Sequence, residues 1–188
     1  MDFLKKNNFL PRIHKLFFLT LRKFLIENFM ELDKNGIALG NTKEDKKQRK
    51  QFIIDFYGKW IIANPEKRLY NKFLDAFIEV RFLSIEETAQ HASFNYKSTV
   101  AVTFLSEIIE NAIATKNKNG NIITEKPKPN VKNQSRFSKL FIMGYEKNGF
   151  GKIKLMVGEL RGSGQKLQYC ITAIENDQTT LAVHEIVI

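Results

Sequence analysis

Apolar residues recur every three or four positions over the first 112 residues of this chain, and every second position after residue 138. The first period predicts helices and the second predicts strands. Pro11 suits a first helical position, and an apolar-rich helix is expected from about Arg12 to Asp33, stopped by Asn35-Gly36. Thr42-x-x-Asp45 has the form of a capping box and opens a second helix ending before Asn64-Pro65, with Phe52, Phe56, Trp60 and Ala63 on one face. A third helix is expected from Pro65, with Leu69, Phe73, Phe77 and Val80 in line. A short one follows from Ser84-x-x-Glu87, and a last one runs from Thr99 to Ala112.

Four strands then follow, at about 138–146, 152–160, 166–175 and 179–187. Asn148-Gly149 is the strongest hairpin signal between them. Gly162-Ser163-Gly164 and Asn176-Asp177-Gln178 are both three-residue joins. They place Ile153, Leu155, Val157, Leu167, Tyr169, Ile171 and Ala173 on one face, and Lys152, Lys154, Lys166, Gln168 and His184 on the other. The expected fold is α+β: helices followed by a four-stranded antiparallel meander. One domain covers 1–188, with a helical part at 1–113 and a basic loop and sheet at 114–188.

Charge changes this picture. The chain has 30 Lys and Arg against 20 Asp and Glu, a formal net charge of +10. Lys116 to Lys154 holds ten cations against Glu125 and Glu146, and so carries +8 of that total. Within it Lys126-Pro-Lys-Pro129 is held extended, which presents Lys126, Lys128 and Lys132 at little ordering cost. Together with Arg136, Lys139, Lys152, Lys154 and Lys166, these residues form a candidate surface for phosphate contact. A merely solvated face is the alternative reading of the same run. Lys46, Lys47, Arg49 and Lys50 make a further cluster at the second helix, read as solvated.

The one cysteine, Cys170, cannot make an internal disulfide, as expected of a reducing compartment. The apolar run at 16–21 meets Arg22-Lys23 too soon for a signal peptide or a membrane span of about 20 residues. A cytoplasmic protein, without membrane attachment, is expected.

Candidate chemistry is sparse. His14, His91 and His184 have no metal-ligand spacing, and there is no Walker loop, so neither metal nor cofactor is expected. Ser93 and Cys170 lack an identifiable base. One arrangement remains open: RNA cleavage without metal, which uses a proton-transfer group at the 2′-hydroxyl and cations at the phosphorane. His91, Arg161, Tyr169 and His184, with Lys154, are the residue types for such a site.

The stretch Gly151-Lys-Ile-Lys-Leu-Met-Val-Gly-Glu-Leu-Arg161, with Gln168-Tyr-Cys-Ile-Thr-Ala-Ile174 and the upstream Lys126-Pro-Lys-Pro-Asn-Val-Lys132, resembles domains of large polyvalent proteins in phages and conjugative elements. Those domains are similar to the barnase, EndoU and RelE-like group. The resemblance covers residues 84–188 and implies a mobile-element setting, with a fold that serves as nuclease or as binding scaffold. It matches His91, Arg161 and Tyr169 to the family's catalytic residue types. The leading expectation is therefore a non-enzymatic binder of RNA or of a host ribonucleoprotein, such as a counter-defence inhibitor of an RNA-guided nuclease (anti-CRISPR-like). A metal-independent ribonuclease toxin is the alternative, and a structural or partner-binding protein the third reading.

Overall fold

The computed structural model describes residues 31–131 and 133–174. The expected first helix, except its last residues, and the expected fourth strand with His184 lie outside the described residues, as does Lys132. At Leu32 the chain is not helical: Leu32 bridges to Ala38 across a turn in which Asp33 Oδ1 accepts from Asn35 N and Ile37 N.

Helix α1 (Lys43–Ala63) starts at the expected capping box. Thr42 Oγ1 accepts from Asp45 N at 3.1 Å, and the Asp45 carboxylate accepts from Thr42 N at 2.8 Å. Its buried face runs through Arg49, Ile53, Tyr57 and Trp60, one position round from the expected centre; Phe52 and Phe56 flank it.

The expected third helix is instead a hairpin of β1 (Arg68–Asn71) and β2 (Ala76–Glu79). Two left-handed residues, Lys67 (φ 54°) and Asp75 (φ 48°), interrupt any helix there. Asn71 fixes the turn: its Oδ1 accepts from Leu74 N at 2.8 Å, while its Nδ2 donates to the carbonyls of Ile109 and Ala112. Helix α2 (Phe82–Ala92) begins earlier than expected, with Ser84 inside it rather than at its cap; Ser84 Oγ accepts from Arg81 N at 3.0 Å. The expected last helix is two, α3 (Tyr96–Val102) and α4 (Leu105–Asn111), broken at Thr103-Phe104, where the Phe104 ring turns to meet Phe150 edge-on at 5.3 Å.

The remaining strands are β3 (Ile113–Ala114), β4 (Thr124–Glu125), β5 (Phe137–Lys147), β6 (Gly151–Leu160) and β7 (Lys166–Ala173). The last three match three of the expected strands, and Asn148-Gly149 turns β5 into β6 with Gly149 at φ 75°. The meander, however, is not the sheet. Seven strands form one mixed sheet in the order β1-β2-β7-β6-β5-β3, with β4 also on β5, curled into a half-barrel. β2 lies parallel to β7 through Ile78↔Lys166 and Glu79↔Leu167.

The expected faces are corrected too. Met156 pairs with Cys170 but Val157 with Gln168, so Tyr169 is an extra residue, a β-bulge. The bulge reverses the facing of everything before it. Lys166 and Gln168 share the face of Leu155 and Val157, and Leu167 and Tyr169 turn to the side of Lys152 and Lys154. Each face therefore has a core. The helices cover Ile153, Leu155, Val157 and Ile171 on one side, with Ile53, Tyr57, Ala89 and Ile108. On the other, Leu83, Phe137, Leu140, Leu167, Tyr169 and Cys170 make a smaller cluster.

Beyond Leu167, β7 has no strand beside it on the β2 side among the described residues. Helix α2 occupies that edge: Ser84 Oγ donates to the Gln168 carbonyl at 2.5 Å, and at the far end Ala173 N donates to Ser98 Oγ of α3 at 3.0 Å. These hydroxyls satisfy strand groups that a neighbouring strand would otherwise pair.

Candidate nucleic-acid interface

Because α2 runs along β7, its residues meet the bulge. The Glu87 carboxylate, nearly buried, stands beside three polar groups. Asn133 Nδ2 donates to Oε1, His91 Nε2 lies 3.5 Å from Oε2, and the Tyr169 hydroxyl lies alongside with Gln134. Glu87 and His91 are four apart on the helix and so share a face. Burial, with the Glu87 charge, pushes the Tyr169 phenol up to about 12, against a lowering by Gln134. The Tyr169 hydroxyl is thus a proton-bearing donor at neutral pH. Burial and Glu87 likewise push the Cys170 thiol up to about 12, with Lys154 opposing. Such a thiol is not a nucleophile. The structure therefore joins His91 to Tyr169 through Glu87, a residue that sequence reading assigned only to a helix cap.

Arg161 does not enter this cluster. Its Nε donates to the Ser135 carbonyl at 3.0 Å, and its backbone N to the Arg136 carbonyl. It braces the loop whose neighbouring Asn133 and Gln134 reach Glu87 and Tyr169. Gln134 also ties in the proline segment, since its Oε1 accepts from Lys128 N at 2.8 Å. Gln168, expected on an open charged face, is fully buried: it accepts from the Tyr57 hydroxyl at 3.1 Å and donates to Thr88 Oγ1 at 2.9 Å.

The run of cations from Lys116 to Lys154 is divided by the fold. Lys139 and Lys166 share the Glu159 carboxylate at 3.3 and 3.7 Å and flank the Phe141 ring. Lys147 is bound to Glu107 at 2.6 Å, and Lys116 sits over Phe73. Lys126, Lys128, Arg136 and Arg161 are exposed, without a carboxylate partner among the described residues, and cluster towards the Phe137 end of β5. Lys152 and Lys154 lie at the opposite end of β6. Seven residues separate Lys154 from Arg161, roughly 23 Å of strand at about 3.3 Å per residue.

A second basic surface was read from sequence as solvation. Lys43, Lys46, Lys47 and Lys50, with Glu44, line one wall of a groove whose other wall is Gln90, Ser93 and Phe94. Arg49 belongs to its foundations, not its lining: the fully buried guanidinium donates to the carbonyls of Ala38, Gly40, Ser93 and Phe94. The legible signal was the lysine spacing, i, i+3, i+4, i+7, which sets all four on one helix stripe.

Among the described residues, no group of three His, Cys, Asp or Glu side chains is placed to hold a metal ion, and no helix is long and apolar enough to cross a membrane. Compared with protein-family models, with curated proteins and with solved structures, the chain matches none.

Proposed function

We propose that this protein binds RNA, free or within a ribonucleoprotein, and that in a mobile-element setting it acts as a counter-defence inhibitor of an RNA-guided nuclease. The observation that carries the RNA-binding reading is the group Lys126, Lys128, Arg136 and Arg161, exposed and without a carboxylate partner among the described residues, at one end of the sheet. Cations so placed attract phosphate, which supplies affinity without base specificity. The mobile-element setting rests on the sequence resemblance alone.

Affinity for a labelled single-stranded RNA should fall steeply with salt, by a log–log slope of roughly 0.7 per phosphate contact. The variant K126Q/K128Q/R136Q should bind more weakly, with a slope flatter by about two units. Its melting should barely change, because exposed substitutions alter stability by less than about 0.5 kcal/mol each. Equal affinity and equal slope in the variant and the native protein would overturn the proposal.

A second reading, metal-independent RNA cleavage, is favoured by Glu87 holding both His91 and Tyr169. In that reading His91 takes the 2′-hydroxyl proton as the 2′-oxygen attacks phosphorus, and the 5′-oxygen leaves with a proton from water, giving a 2′,3′-cyclic phosphate and a 5′-hydroxyl. Glu87 orients the imidazole, and the buried Tyr169 hydroxyl in turn holds the Glu87 carboxylate. Cleavage of labelled RNA should persist in EDTA and fall by a factor of roughly 10²–10⁴ in His91→Ala. Cleavage that EDTA abolishes, or that survives both His91→Ala and His184→Ala, rules this reading out.

A further inference from the structure

The geometry points to the groove between α1 and the end of α2 as a subsite for one nucleotide of a single strand, its base stacked on Phe94 and its phosphates held by Lys43, Lys46, Lys47 and Lys50. The inference rests on the RNA-binding reading above and extends it to a surface that reading does not use.

Three observations support it. The first is charge: four lysines and one glutamate leave the groove a surplus of three positive charges, and none of the four lysines has a carboxylate partner among the described residues. Lys43 and Lys50 are seven residues apart, about 10 Å of helix at 1.5 Å per residue, and so span a short stretch of sugar-phosphate backbone rather than a single anion.

The second is the aromatic ring. Phe94 is 58% exposed although it belongs to a wall of the groove, and Lys46 Nζ stands 5.4 Å from its centroid. A phosphate-only site has no use for an exposed ring. A single strand offers a base and a phosphate side by side, and proteins that bind it pair an aromatic platform with a cationic track. Gln90, in the last turn of α2, lines the same wall as Phe94, which follows the helix end, and its amide can donate to and accept from a base edge. Ser93, 6% exposed, also lines the groove, and its hydroxyl makes no hydrogen bond among the described residues.

The third is rigidity. Arg49 bonds the carbonyls of Ser93 and Phe94 from within α1, so the two walls are one unit and the ring is positioned before a ligand arrives. Ordering costs that would weaken a loop-borne site are thereby reduced. Glu87 and His91 lie on α2 as well, in the two turns that precede Phe94.

The test measures binding of the full chain to three labelled probes: single-stranded RNA, duplex RNA and inorganic polyphosphate. Phe94→Leu keeps an apolar side chain and all charges. It should weaken single-stranded RNA roughly ten- to a hundredfold, the worth of one stacked base, while leaving duplex RNA and polyphosphate unchanged. K43Q/K46Q/K47Q/K50Q should weaken single-stranded RNA and polyphosphate and flatten the salt dependence of both. Unchanged single-strand affinity in Phe94→Leu overturns the stacking role. Unchanged affinity in the lysine variant, while K126Q/K128Q/R136Q loses binding, overturns the groove and leaves the RNA reading standing. A native protein that binds none of the probes removes both. Thermal melting of each variant separates loss of the subsite from loss of the fold.

Discussion

Arg49→Met is expected to destabilise the fold by about 3–5 kcal/mol. The guanidinium is fully buried and donates four hydrogen bonds, at 2.9 Å to Ala38, 2.5 Å to Gly40, 2.9 Å to Ser93 and 3.3 Å to Phe94. Methionine restores much of the volume but no donor, so four carbonyl oxygens lose their partner, at about 1 kcal/mol or more each. Urea denaturation of both proteins measures the difference, and melting should fall by about 10 °C in a chain of this length. Arg49→Lys should fall between them, because an ammonium has three donors and lacks the planar fork that reaches two segments at once. A change below about 1 kcal/mol in Arg49→Met would show that these carbonyls find other donors.

Gly158→Ala is expected to cost about 1–3 kcal/mol, a large effect for one methyl group. A Cβ at Gly158 would lie 2.4 Å from two atoms of the Phe137 ring. That ring cannot swing aside freely, since it is fully buried and meets Tyr169 edge-on at 5.6 Å. Phe137→Leu alone should destabilise by leaving part of the site empty. In the double variant the methyl fills space the leucine vacates, so the combined loss should be clearly smaller than the two single losses added. Four denaturation curves give this coupling, and strict additivity would contradict the packing described.

Single elements were legible where a local signal decides the outcome, but the sheet that joins them was not. Thr42 and Asp45 cap α1 within four residues of each other, and Asn148-Gly149 needs only its own backbone to turn β5 into β6. What failed depended on partners distant in sequence. Leu69, Phe73, Phe77 and Val80 are spaced like a helix, but Leu69 and Ile78 also suit a hairpin, and Asn71 reaching Ile109 and Ala112 decides between them. Nothing near Ile78 announces its pairing with Lys166. The Tyr169 bulge is a single inserted residue, and counting loop parity cannot detect it.

The candidate site shows the same division. His91 and Tyr169 were singled out separately by residue type, but what brings them together is Glu87, whose capping-box spacing supplied a sufficient local explanation. Lys46, Lys47 and Lys50 were noticed and read as solvated and Lys43 was passed over, because the ring that makes them a groove comes from the turn after α2, some forty residues later. Charge counted along the chain also misleads. Lys139, Lys147 and Lys166 all belong to ion pairs, formed with Glu159 and Glu107, whereas Lys126, Lys128, Arg136 and Arg161 in the loops have no such partner among the described residues.

The parallel contact between β2 and β7 sets an order on synthesis. Residues 43–111 emerge first and hold Ile53, Tyr57, Ala89 and Ile108, yet the sheet surface that covers these side chains is made by β5, β6 and β7. Until β7 leaves the ribosome, Ile78 has no neighbour at Lys166 and the α2 hydroxyls have no strand to bind. At roughly 5–20 residues per second the nascent helices stay uncovered for several seconds. Pairings this far apart in sequence also close slowly. The side chains that α1, α2 and α4 turn towards the sheet thus reach their final partners only when the last described strand has been made.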